Sequence, residues 1–172
     1  MGLSKVRVHI KVSDSKMQNE IEQFIKELPS TIIGDGLEEV PEEFREMLSM
    51  TDTINPEQIV CKKGILSTDK IGFENFEDTG KEISAKYQTP VMAAFVFDSD
   101  VAAIQVFQDG QTVLEEVYSM DMKKSMDKEC FIQMFGFTCN PEALEEVFAI
   151  ENVVFAEEIL QKAGEVIGID LI

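Results

Sequence analysis

Between Lys5 and Val12 every second residue is apolar: Val6, Val8, Ile10 and Val12 share one face, and Lys5, Arg7, His9 and Lys11 the other. A period of two predicts a half-buried strand over 5–12 with a basic outer face. The period then lengthens. Met17, Ile21, Phe24, Ile25 and Leu28 recur at helical spacing behind the N-cap sequence Ser13-Asp14-Ser15, and Pro29 closes that helix. From Pro90 the pattern changes again. Val91-Met92-Ala93-Ala94-Phe95-Val96-Phe97 is apolar throughout, as a strand covered on both faces must be. Strands over 101–107 and 112–118 follow it, separated by Asp98-Ser99-Asp100 and by Gln108-Asp109-Gly110-Gln111. Asp-Gly pairs adopt the positive φ angles of a type I′ hairpin turn, so 91–118 reads as an antiparallel three-strand meander.

The remaining segments supply cover for that meander. Pro41 suits the first turn of a helix that would bury Val40, Phe44, Met47 and Leu48. Residues 58–66 read as a strand interrupted at Lys62-Lys63-Gly64. Residues 72–80 read as a loop carrying Phe73 and Phe76, before a capping box, Thr79-x-x-Glu82, and a short helix with Ile83 and Tyr87. Three helices follow the meander. Asp127 caps one containing Phe131, Met134 and Phe135, stopped by Gly136. Asn140-Pro141 opens one with Leu144, Val147 and Phe148. The last runs from about Asn152 to Gly168 with Phe155, Ile159, Leu160, Ala163 and Ile167 facing inward. Strand and helix, then meander, then a helical tail is the segregated order of an α+β fold. The expectation is a single domain over residues 1–172.

Composition narrows the function classes. At 172 residues, with 44% hydrophobic and 28% charged residues, the chain is globular in character. No apolar run approaches the length of about 20 residues that crosses a bilayer, and the N-terminal residues lack a secretory apolar core. Three scattered cysteines, Cys61, Cys130 and Cys139, form no CxxC pair and read as reduced, buried thiols of a cytoplasmic protein. The net charge of −18 repels nucleic-acid phosphate and anionic membrane. It favours a basic protein partner. Residues 1–30 are the exception, with five cations against four anions, so pairing of this basic stretch with the acidic remainder would favour self-association.

Candidate chemistry is sparse. Each meander strand is roughly 23 Å long at about 3.3 Å per residue. The third strand returns Asp121 towards the end that holds Asp98 and Asp100, whereas Asp109 turns at the opposite end. Asp98, Asp100 and Asp121 are therefore the candidate ligands for a hard divalent cation, or a carboxylate set for acid–base work. They are also ordinary turn residues. His9, the only histidine, lies between Arg7 and Lys11 on the polar face, where like charge would keep it neutral. It reads as a surface residue, with general base as the sharper alternative. Lys62 and Lys63 would favour a thiolate at Cys61, while Cys130 reads as core. Phe73 and Phe76, with Glu74, Glu77 and Asp78, combine aromatic anchors and carboxylates in one loop, so Phe73, Phe76 and Asp78 are the candidate binding residues. G-x-S-x-G, Walker A and G-x-G-x-x-G motifs are absent, and no cofactor is expected.

Two stretches carry resemblances. Phe97-Asp98-Ser99-Asp100-Val101 leading to Asp109-Gly110, with Asn152–Glu158, resembles small uncharacterised bacterial proteins of unknown function. That likeness covers roughly the second half of the chain and implies no activity. Val40-Pro41-Glu42-Glu43-Phe44-Arg45-Glu46-Met47-Leu48 is similar to the Leu-Pro-x-x-Tyr/Phe helix of the SMI1/KNR4 superfamily. Many of its members are immunity proteins that neutralise bacterial toxins. The chain departs from that pattern by opening with a strand and by lacking a six-strand run after the helix. The leading expectation is a non-catalytic acidic binding protein, immunity-like or regulatory. The alternative is a metal-dependent enzyme or small-ligand protein using the three aspartates.

Overall fold

Six strands build one antiparallel sheet in a computed structural model that describes residues 2–29 and 59–172. They are β1 (Lys5–Lys11), β2 (Ile59–Lys62), β3 (Ile65–Thr68), β4 (Val91–Phe97), β5 (Val101–Gln108) and β6 (Gln111–Tyr118), arranged in the order β2-β3-β1-β4-β5-β6. Two of the connections, β2–β3 and β5–β6, are two-residue turns, and the β4–β5 connection has three residues, 98–100. Lys63-Gly64 (φ 53° and 73°), Asp98-Ser99 (49° and 59°) and Asp109-Gly110 (50° and 78°) all hold paired positive φ angles. That is the type I′ conformation, whose twist matches the strands it joins. The meander of residues 91–118 is therefore present as the sequence predicts, and β4 lies inside the sheet between β1 and β5.

Pleating sends alternate residues of each strand to opposite layers. Val6, Val8 and Ile10 of β1 and Val91 and Ala93 of β4 face α1 (Ser15–Glu27) and α2 (Phe76–Tyr87), packing with Ile21, Ile25, Ile83 and Phe107. Met92, Ala94 and Val96 of β4, with Ala102, Ile104 and Val106 of β5, face α3 (Lys128–Phe135), α4 (Pro141–Phe148) and α5 (Glu157–Ile167). A strand with helices on both faces has no polar side, which is why β4 carries no polar residue. Helix caps follow the sequence. Asp14 accepts from the Met17 N–H at 2.8 Å, Asp127 from Cys130 at 2.9 Å and Asn140 from Glu142 at 3.0 Å. Among the described residues no helix is long and apolar enough to cross a membrane.

Several expectations are corrected. The helix before β4 begins at Phe76 rather than Thr79. Its N-cap, Asn75, makes no side-chain capping bond, and Thr79 and Gly80 are buried inside it. Gly80 is needed there because a Cβ would stand 2.6 Å from the Phe107 ring. The last helix begins at Glu157, and Phe155, expected inside, is 52% exposed. The interrupted strand of residues 58–66 is the β2–β3 hairpin. The turn and helix expected around Gly34–Gly36 and Pro41, with the superfamily resemblance at Val40–Leu48, lie outside the described residues.

Candidate functional site

The β4–β5 turn fixes the geometry of one end of the sheet. Ser99, at its centre, is tied from two sides. Its N–H donates to the Leu3 carbonyl at 2.9 Å, and its carbonyl accepts from the Ala156 N–H at 2.8 Å. The Leu3 N–H in turn donates to Ser99 Oγ at 2.8 Å, and the Gly2 N–H donates to Asp98 Oδ1 at 2.7 Å. Tyr118 of β6 pairs with Ala102, so the residues after Tyr118 emerge beside the same turn. There Ser119 Oγ accepts from the Met122 N–H and donates to the Met122 carbonyl, both at 2.8 Å, and Lys124 folds back to bridge Val117. One end of the sheet thus collects the start of the chain, two loops and the approach to α5.

What these segments present is apolar. Leu3 (44% exposed), Phe97 (59%), Met120 (98%), Met122 (60%), Val154 (78%) and Phe155 (52%) all sit on them. They are six of the eight exposed large hydrophobic side chains among the described residues; Val60 and Val113 are the others. Scattered exposed apolar residues are ordinary on any protein, but their concentration in one place marks an interaction site. Phe97 also continues into the helix-side layer. Its ring lies 6.4 Å from Phe73, which lies 6.1 Å from Phe76 and 5.9 Å from Phe95. Phe73, Phe76 and Phe95 are half-buried against the core, so Phe73 braces Phe97 while the cluster keeps part of its surface in solvent.

Carboxylates rim this surface. Asp98, Asp100 and Asp121 are exposed around it, and Glu74, Glu77 and Asp78 are exposed beside Phe73 and Phe76. Glu77 pairs with Lys81 at 2.6 Å. Glu157 Oε1 accepts from Ser99 Oγ at 3.2 Å, while among the described residues its buried Oε2 has no hydrogen-bond partner. The aspartates share one end of the sheet, as the strand lengths predict. They do not converge into a cage: among the described residues no three His, Cys, Asp or Glu side chains group closely enough to hold a metal ion. Asp98 is instead occupied in fastening the N-terminal segment.

The sheet's opposite region corrects the expectations for His9 and the cysteines. His9 is fully buried, not a surface residue, because the C-terminal segment lies across the basic face of β1. Its Nε2 lies 3.1 Å from the Leu171 carbonyl and its Nδ1 2.7 Å from Ser67 Oγ. Burial lowers its pKa to about 4, with the charge of Arg7 a lesser cause, so the neutrality expected from like charge arises mainly from desolvation. Arg7 bonds Asp69 through two nitrogens, at 2.7 and 2.8 Å, and Asp170 at 2.8 Å. Those hydrogen bonds raise its pKa further. Cys61 and Cys130 are exposed rather than buried, and Cys139 is partly covered. Partial burial raises the Cys61 thiol, with the charge of Glu22 adding to it, opposite to the activation expected from Lys62 and Lys63.

A buried ion pair joins two residues that no sequence pattern brings together. Lys128 Nζ lies 2.7 Å from Glu116 Oε2, with both side chains almost fully enclosed, and 3.4 Å from Glu145. Lys128 also donates to Ser125 Oγ at 2.8 Å and the Met126 carbonyl at 3.2 Å, while Glu116 accepts from the Met126 N–H at 2.9 Å. Every lysine proton is thereby used, and the pair ties β6 to the start of α3, closing the loop between them. No protein-family model matches the chain, and no curated protein or solved structure matches it either.

Proposed function

We propose that this chain works by binding a basic protein partner at the apolar, carboxylate-rimmed end of its sheet. The gathering of six exposed large hydrophobic side chains around the β4–β5 turn carries the reading. An apolar centre that excludes water with a charged rim is the ordinary anatomy of a protein–protein interface. Phe97, braced by Phe73, is the aromatic anchor, and Phe155, Met120 and Met122 are exposed on the other segments that meet at this end of the sheet. Methionine adapts its shape to a partner more readily than a branched side chain does. Asp98, Asp100, Asp121 and Asp78 give the rim one sign of charge, and the net charge of −18 extends that field over the molecule. A basic partner is steered towards such a field, with an association rate that falls as salt rises.

The role that fits is immunity-like or regulatory: occupying a partner's basic surface and holding it. Affinity capture on the immobilised chain, at low and high salt, tests it. A retained protein of basic character, released by salt and not retained by a Phe97→Asp variant, is the expected result. Equal retention by the variant, or retention indifferent to salt, overturns the reading.

A further inference from the structure

We infer that Ser67 is a nucleophile, aligned by His9 to take a short acyl group from an ester in a small cavity beside β3. This site is separate from the proposed binding surface. His9 pairs with Met92, which lies five residues along β4 from Phe97, or about 16 Å at about 3.3 Å per residue. The sheet builds the arrangement. Ser67 stands opposite His9 on β1 and opposite Val60 on β2, so pairing on both sides holds its backbone. On the C-terminal face this places Val60, Ser67, His9 and Met92 in one row across the sheet, a polar pair between apolar neighbours.

The hydrogen bonds assign the protons. A carbonyl only accepts, so His9 Nε2, at 3.1 Å from the Leu171 oxygen, carries the ring proton. Nδ1 is then unprotonated, and Ser67 Oγ at 2.7 Å must donate to it. A hydroxyl donating to an imidazole that a third group orients is the general arrangement of an activated nucleophile. The carbonyl of Leu171 fills the orienting role. His9 itself is fully enclosed, whereas Ser67 lines a cavity of about 160 Å³ with Arg7, Val60, Lys62, Ile169 and Asp170. Only the hydroxyl is therefore presented to a ligand. At about 30 Å³ per water the cavity holds roughly five waters. That volume suits an acetyl or propionyl group. Val60 and Ile169 offer apolar wall to the acyl chain, and Lys62 lines the same cavity.

The chemistry balances without a cofactor. Ser67 Oγ bonds to the ester carbonyl carbon as its proton passes to His9 Nδ1. The ester C–O bond then breaks, and the alkoxide departs into solvent, which supplies its proton. Water attacks the acyl-serine and gives one proton to solvent, while Nδ1 returns its own to Ser67 Oγ, so that ester and water become acid and alcohol. The imidazolium formed in passing is held by the Leu171 carbonyl and by the nearby carboxylates of Asp170 and Asp69. Because burial weakens His9 as a base, acylation is slow and does not vary with pH above about pH 5.

The test uses the whole chain and p-nitrophenyl acetate, with peptide mapping by mass spectrometry. The expected result is an acetyl adduct on Ser67. Its rate of formation should fall about 100-fold or more in His9→Gln, the scale of general-base catalysis. The wild-type rate should drop as pH falls through about 4 to 5. Ser67→Ala, which leaves the buried histidine in place, should abolish the adduct and leave the circular dichroism spectrum unchanged. Acetylation confined to surface amines such as Lys62 and Lys63 overturns the proposal. So does a Ser67 adduct whose rate is unchanged in a folded His9→Gln variant or is flat from pH 4 to 7.

Discussion

Removing the ammonium of Lys128 while leaving Glu116 tests whether the loop after β6 is held by a buried ion pair. In Lys128→Met the side-chain volume is nearly kept, but Glu116 is left enclosed and without its cation. Lys128 is 1% exposed and Glu116 5% exposed at the side chain, and 2.7 Å separates them, so the carboxylate depends on this cation for its charge pairing. Breaking one partner of such a pair costs about 3–5 kcal/mol. Urea unfolding slopes of about 1–3 kcal/mol per molar convert this into a midpoint lower by at least about 1 M. The chain has no tryptophan, so circular dichroism is the natural signal. A double variant, Lys128→Met with Glu116→Leu, removes both charges and should recover most of the loss. Glu116 also has a pH signature. Burial pushes its carboxyl above the usual range despite the opposing bond from Lys128. A raised folded value means that its contribution is present below the unfolded carboxylate range and is lost as pH rises through the folded value. In Lys128→Met the deficit should therefore shrink on acidification. A single variant that loses less than about 1 kcal/mol, or a double variant no better than the single, would refute this reasoning.

Other predictions concern buried and exposed groups separately. His9 titrates at about 4 folded against 6.5 unfolded, so its contribution is present above pH 6.5 and lost as pH falls towards 4. That shift corresponds to about 3 kcal/mol, and unfolding free energies of His9→Gln measured from pH 4 to 7 should lack this slope. Gly80→Ala drives a methyl group into the fully buried Phe107 ring and should cost about 1–3 kcal/mol in urea melts, with no gain from the added helix propensity. Calorimetric titration with magnesium, calcium or manganese should give no saturable heat that Asp98→Ala and Asp100→Ala remove, since no three carboxylates among the described residues converge.

The sheet was legible because its signals are local. Asp109-Gly110 specifies its own turn, and seven consecutive apolar residues at 91–97 require cover on both faces whatever the rest of the chain does. Asp98-Ser99 adopts the same turn type with less obvious residues, helped by bonds from Leu3 and Ala156 that no local pattern announces. The environment of His9 was not legible. Val-Arg-Val-His-Ile-Lys alternates identically whether its polar face meets water or, as here, a C-terminal segment with carbonyls and carboxylates to offer. Phe155 continues the helical spacing of Ile159 and Ala163, which points it inward, yet the helix begins two residues after it. The candidate surface was half visible. Phe73 and Phe76 stood out in sequence, but their contacts with Phe95 and Phe97 depend on how α2 meets β4. Glu116 and Lys128 lie twelve positions apart in different elements, and nothing in either neighbourhood pairs them.

Titration calorimetry of a captured basic partner against the wild-type chain and a Phe97→Asp, Phe155→Asp variant is the most direct measurement of how this protein acts. Both side chains are more than half exposed, so the substitutions should leave unfolding unchanged. Binding should weaken by about 2 kcal/mol or more, roughly 30-fold, as expected for aromatic anchors at the centre of an interface. Unaltered affinity in the folded variant would mean that the partner is held elsewhere and that this end of the sheet is not the binding surface.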